Sequence, residues 1–261
     1  MDRESQRRKF LKGLGTFGAA AALPASAARA GEPPSHSDDH AAHIGAASGE
    51  STTLLFFTNA EAEFVDAALI CFIPSDALGP GAKEAGVTFF IDRQLHGAWG
   101  AMARAYRLGP WPEGTPQQGY QSPLTPCEVY RAAIREIDTL CETEHGKRFA
   151  DLPHTEQDAM LKALDAGERS LESVSATLFM NLLWSNTQEG FFADPVYGGN
   201  RDKVGWRLVG FPGVAAAYTD YIERHGQRYD VEPVGIEDVQ RRAVELDEHG
   251  HPIHRKLARL R

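Results

Sequence analysis

From residue 53 onward, apolar positions recur mostly at helical spacing. Thr58-Asn59-Ala60-Glu61 has the S/T-x-x-E form of a capping box, and Phe64, Val65, Ala68, Leu69 and Phe72 follow at intervals of three and four. A helix is predicted there, stopped by Pro74. After the Gly79-Pro80-Gly81 turn, Val87, Phe90, Ile91 and Leu95 predict a second helix from Lys83 to about Tyr106. Residues 109–123 are too rich in Pro and Gly for regular structure and predict a long loop. Thr125-Pro126-Cys127-Glu128 joins an N-cap Thr, Pro at N1 and Glu at N3, the strongest helix start in the chain. Tyr130, Ala133, Ile134, Ile137 and Leu140 continue that helix as a narrow stripe, and Gly146 is its natural C-cap.

Further helices are predicted over Glu156–Leu164 and Leu171–Asn186. The second is apolar most of the way round and belongs in the central core. A strand over Phe179–Trp184 fits less well, because Leu and Met outnumber β-branched residues. The segment from Gly190 to Gly213 is rich in Gly, Pro and aromatic residues and reads as a shaped, ordered loop. Ala215 to His225 predicts a short helix with Tyr218 and Ile222 inward, and a polar tail follows from about residue 229. Few segments alternate at period two and no solenoid repeat is visible, so the predicted fold is all-α, one helical domain over residues 53–228.

The first thirty residues read as an export signal. Gln6-Arg7-Arg8-Lys9-Phe10-Leu11-Lys12 resembles a twin-arginine motif, with Arg7, Arg8, Phe10 and Leu11 as its recognition residues. Gly13–Leu23 is a weakly apolar h-region, and Ala25-Ser26-Ala27 and Ala28-Arg29-Ala30 offer cleavage sites. Residues 31–52 have linker composition, with His36, His40 and His43 spaced for a metal only if helical. No other apolar run approaches the roughly 20 residues needed to span a bilayer. A twin-arginine signal implies folding before export and a periplasmic destination.

Composition narrows the function. With 42% hydrophobic and 24% charged residues the chain is of globular type, not disordered. The net charge is −9, and without residues 1–30 there remain 21 basic and 34 acidic residues, or −13. So acidic a body argues against nucleic acid and against direct binding to anionic membranes. Cys71, Cys127 and Cys141 form no C-x-x-C, which excludes c-type haem attachment on this chain. Cys127 and Cys141 lie fourteen residues apart on one predicted helix, a rise of roughly 21 Å, so they cannot bridge. Cys71 could pair with either, and an odd count leaves at least one thiol, buried and inert or available to another subunit.

G-x-G-x-x-G, the P-loop, G-x-S-x-G and H-E-x-x-H are all absent. Tyr197-Gly198-Gly199-Asn200-Arg201 suits a tight turn at positive φ, or a backbone cradle for an anion. His249, His251 and His254 have metal-like spacing, but in a polar tail where solvated disorder is expected. His96 and His145 lie on or near helices, where partly buried or capping roles are expected. No catalytic constellation stands out. One reading left by these residues is a free-standing periplasmic metal-binding protein or enzyme using the His-rich tail.

The segment EGFFADPVYGGNRDKVGWRLVGFPG, Glu189–Gly213, resembles the hallmark of the gluconate 2-dehydrogenase subunit 3 family. Ile73-Pro74, Pro80–Leu95 and Gly119–Asp138 fit the same resemblance, which covers about residues 54–225. It implies the small subunit of a membrane-bound flavin-dependent sugar or sugar-acid dehydrogenase. The implied partners are a large GMC-type flavoprotein carrying FAD, a multihaem cytochrome c carrying haem c, and the twin-arginine translocase. The small subunit would bind no cofactor or metal, carry no catalytic residue, escort the flavoprotein through export and meet the membrane only through its partners. Phe191, Phe192, Asp194, Pro195, Tyr197, Gly198, Gly199, Asn200, Arg201, Asp202 and Trp206 are the family-motif positions to which the resemblance assigns architecture or docking.

Overall fold

In a computed structural model, residues 53–112, 114–214, 222–227 and 229–256 are described. Among them are seven α-helices and no strand: α1 (Asn59–Phe72), α2 (Val87–His96), α3 (Pro126–His145), α4 (His154–Asp165), α5 (Ala176–Phe192), α6 (Val204–Val209) and α7 (Ile236–Gln240). The export signal, the linker, their histidines, and Tyr218 lie outside the described residues.

The locally encoded helices form as their sequences dictate. At α1 the Thr58 hydroxyl accepts from Glu61 N–H at 3.2 Å while Glu61 accepts from Thr58 N–H at 2.8 Å. Thr125 and Glu128 repeat this exchange at the start of α3, which ends at Gly146 in the left-handed region at φ 70°. The α3 stripe is Val129, Tyr130, Ala133, Ile134, Ile137 and Cys141. Cys141 is buried where Leu140 was expected to point inward, and Leu140 is only half-buried.

Two helices depart from their predicted bounds for backbone reasons. The helix expected over Lys83–Tyr106 is only Val87–His96. Gly86, at φ 74°, interrupts it before Val87. Gly97 adopts extended backbone at its end, and Gly100 turns back so closely on Leu95 that a side chain there would overlap the Leu95 carbonyl. The helix expected over Leu171–Asn186 begins at Ala176, capped by the Ser175 hydroxyl, and runs on to Phe192, taking in the first residues of the expected loop. It is central, as its composition suggested, but Thr177, Asn181 and Ser185 give it an exposed stripe. At the described end of the predicted helix 215–225, residues 222–225 form turns, and Ile222 is exposed rather than inward.

α1 and α5 each pack against α2, α3 and α4 as well as against one another. Phe64, Leu69, Ile91, Tyr130, Ile137, Leu164, Phe179 and Phe191 are among the side chains withdrawn from solvent between these helices. Each such burial contributes about 1.5–3 kcal/mol.

One polar group belongs to this framework. Asp92 on α2 is wholly buried, and its carboxylate accepts the N–H groups of Leu55 at 2.7 Å, Phe56 at 2.9 Å and Phe57 at 2.8 Å. It ties the start of the described chain to α2, and Arg131 closes the other side by donating to Phe56 O at 2.8 Å. Asp92→Ala orphans three backbone donors, so it should cost about 3 kcal/mol at about 1 kcal/mol each. Asp92→Asn keeps an oxygen for two of them and should cost less. Urea unfolding of both variants checks the order; equal losses would mean the carboxylate does not hold residues 55–57.

Candidate partner-docking site

The Glu189–Gly213 segment starts on the last turn of α5 and folds back along it. After the helix, Asp194 caps a 3-10 turn, Pro195–Tyr197, by accepting Val196 N–H at 3.0 Å. A second 3-10 turn, Arg201–Lys203, leads into α6. The return is possible because the glycines let backbones touch. A Cβ on Gly199 would lie less than 3.0 Å from the Gly190 carbonyl, and one on Gly205 less than 3.0 Å from the Phe191 carbonyl. On Gly190 itself it would meet the Phe90 ring and Val87 of α2. The turn also reaches the chain just before α2: Arg201 N–H donates to Ala85 O at 2.9 Å.

Asn200 is the pin of the segment. Wholly buried at φ 48°, it donates from Nδ2 to Ala193 O at 2.8 Å and accepts Gly205 N–H on Oδ1 at 2.8 Å. Asp202 at φ 55° and Lys203 at φ 57° are also left-handed. Such non-glycine residues cost about 1–3 kcal/mol each, and surrounding bonds must hold them there. Trp206 is nearly buried and its indole N–H donates to Phe192 O at 2.7 Å.

The predicted motif residues therefore separate. Phe191, Gly199, Asn200 and Trp206 face inward; Phe192, Asp194, Pro195, Gly198 and Arg201 are half-buried; Tyr197 and Asp202 are exposed. Val209 at the end of α6 and Phe211 just beyond it are also exposed, the Phe211 ring standing 5.2 Å from that of Trp206. Phe211 is one of the aromatic residues that mark the Gly190–Gly213 segment in the sequence, whereas Val209 was not singled out, its only signal being an apolar side chain beside Gly210 at the end of a six-residue helix.

The C-terminal segment corrects the expectation of a solvated tail. Asp194 also accepts Ile236 N–H at 2.8 Å, Lys203 pairs with Asp238 at 2.5 Å, and Arg207 pairs with Glu232 at 2.7 Å. Val214 N–H donates to Val234 O at 2.7 Å, and Val234 N–H to Pro212 O at 3.0 Å. His254 sets its two ring nitrogens 3.2 Å from Glu232 O and 3.0 Å from Val214 O, so it is occupied by backbone. His249 and His251 lie instead beside Glu248 and Asp247. His145 lies between Glu144 and Glu156. Among the described residues no group of three or more His, Cys, Asp or Glu side chains is placed to hold a metal ion.

The thiols have separate surroundings. Cys71 and Cys141 are buried and Cys127 is half-buried; all three are free. Burial, reinforced by Asp158, pushes the Cys71 thiol up to about 12, and burial with Asp138 and Glu144 pushes Cys141 to about 11. Burial also raises Cys127. Thiols held protonated are poor nucleophiles. Cys71 lies 3.5 Å from His154 Nδ1, and Cys127 donates to Leu95 O at 2.9 Å.

The arrangement is a platform: a strained, glycine-packed turn held from below, with a few apolar residues on its outer side. Among the described residues no helix is long and apolar enough to cross a membrane. A family model described as gluconate 2-dehydrogenase subunit 3 matches residues 59–213, which spans α1 to the last residue of the platform. Neither curated proteins nor solved structures contain a match to the chain.

Proposed function

The chain belongs to the gluconate 2-dehydrogenase subunit 3 family, and from that premise we propose that it is the cofactor-free small subunit of a periplasmic flavin-dependent gluconate or sugar dehydrogenase. In this reading it escorts a large GMC-type flavoprotein through twin-arginine export and stabilises it. FAD sits on that subunit and haem c on a multihaem cytochrome, and the complex meets the membrane through those partners. The family match over residues 59–213 carries the reading. The signal-like residues Arg7, Arg8, Phe10 and Leu11 support export, and the glycine-packed motif supports a structural role. Within it, Phe191, Gly199, Asn200 and Trp206 serve architecture, and Tyr197 with Phe211 faces the partner.

The test is affinity purification of the full chain from native periplasmic and membrane fractions, with a visible spectrum and intact masses. A stoichiometric flavin spectrum with a larger chain is expected, and dye reduction would then identify the sugar. A colourless lone chain from both fractions would refute the subunit reading.

A further inference from the structure

Between α2 and α3 lie nearly thirty residues, and the described ones form no α-helix. The base of this connection is anchored. Gly97 N–H donates to Arg93 O at 3.0 Å, Gly100 N–H to Gln94 O at 3.2 Å, and Gly100 O accepts Cys127 N–H at 3.2 Å. Arg107 donates from a terminal nitrogen to Pro123 O, which joins the two limbs, while its buried Nε–H meets no acceptor. The outer part is bare: Tyr106 is 84% exposed and Leu108 71%, the highest values among the large hydrophobic residues described, and Trp99 is 39% exposed.

Charge sets this surface apart. From Arg93 to Pro112 there is no Asp or Glu, and exposed Arg104 flanks Tyr106, on a chain of net charge −9. Tyr, Trp and Arg are the side chains that dominate binding energy at protein interfaces. An anionic bilayer would attract two arginines but repel the acidic body behind them. A protein partner can offer carboxylates locally.

We propose that the 97–112 loop is a docking arm whose exposed Tyr106 and Leu108, flanked by Arg104, seat in an apolar depression rimmed by carboxylates on the large flavoprotein subunit. The proposal rests on the subunit reading above. Arg104 and Arg107 steer the approach, and the two apolar side chains supply the lasting contact.

The experiment co-expresses the full chain with the flavoprotein and measures retained flavin and dissociation constant at low and high salt. Wild type should retain flavin. Tyr106→Ser with Leu108→Ser should weaken binding at least about tenfold. Arg104→Glu should weaken it at low salt and flatten its salt dependence. All three residues are exposed, so melting temperatures of the full chain should not move. Wild type without flavin refutes the subunit reading. Wild type and both variants retaining flavin equally overturns the docking arm alone. So does a wild-type chain that binds phosphatidylglycerol vesicles, or dimerises by light scattering, with either behaviour lost in the variants while flavin is kept.

Discussion

Replacing Arg7 and Arg8 together by lysine is expected to remove dehydrogenase activity from the periplasm and leave it in the cytoplasm, in the flavoprotein as well as in this chain. The substitution keeps both positive charges. It changes only a planar, five-donor fork into a compact ammonium, so simple attraction to an acidic receptor is preserved and bidentate recognition is lost. It also leaves the fold alone. The first described hydrogen bonds, from Leu55 to Asp92, begin more than forty residues later. A cytoplasmic extract of the variant should therefore contain folded, flavin-loaded complex. Fractionation followed by dye-reduction assay reads the result. Equal periplasmic activity in variant and wild type would show that the flavoprotein does not depend on this chain for export.

The parts of the fold that were legible in the sequence are those decided within a turn or two. Thr58 with Glu61, and Thr125 with Pro126 and Glu128, need only their own neighbours, and both helices begin where those residues stand. Gly146 ends α3 for the same reason. The helix expected through Tyr106 fails at Gly97 and Gly100 because the competing turn depends on contacts to Leu95 and Cys127, which periodicity does not register. Asp92 was invisible as a framework residue. Its three partners lie 35 to 37 residues earlier, and an Asp on a helix is ordinarily solvated. The tail was misjudged because few large apolar residues hold it. Asp194, Lys203 and Arg207 hold it through polar contacts to residues 25 to 42 positions away. The family was legible because its motif is long and chemically odd. The separation of that motif into buried and exposed residues was not, since inward and outward aromatic residues look alike in sequence.

Gly199→Ala and Gly205→Ala should each destabilise the chain by about 3–5 kcal/mol, or prevent its accumulation, although each adds one methyl group. Overpacking usually costs about 1–3 kcal/mol because side chains can shift. Here the obstacle is main chain on both sides: the added Cβ would meet the Gly190 carbonyl from Gly199 and the Phe191 carbonyl from Gly205. Relief requires the turn to lift from α5. That movement breaks the Asn200 bonds to Ala193 O and Gly205 N–H, and with them the support for left-handed Asn200, Asp202 and Lys203. Trp206 then loses its 2.7 Å bond to Phe192 O. Gly210→Ala is the control, because nothing lies within 4 Å of its added Cβ. Only the strain of its φ of 72° opposes it, so about 1 kcal/mol is expected. Urea unfolding of the three variants ranks them. If Gly199→Ala and Gly205→Ala cost no more than Gly210→Ala, the segment does not lie against α5, and its glycines would have to be explained by the partner it meets. If they cost several times more while exposed Tyr197→Ser leaves stability unchanged, the packing of this short segment is confined to its inner side, and its outer side is free of any structural duty.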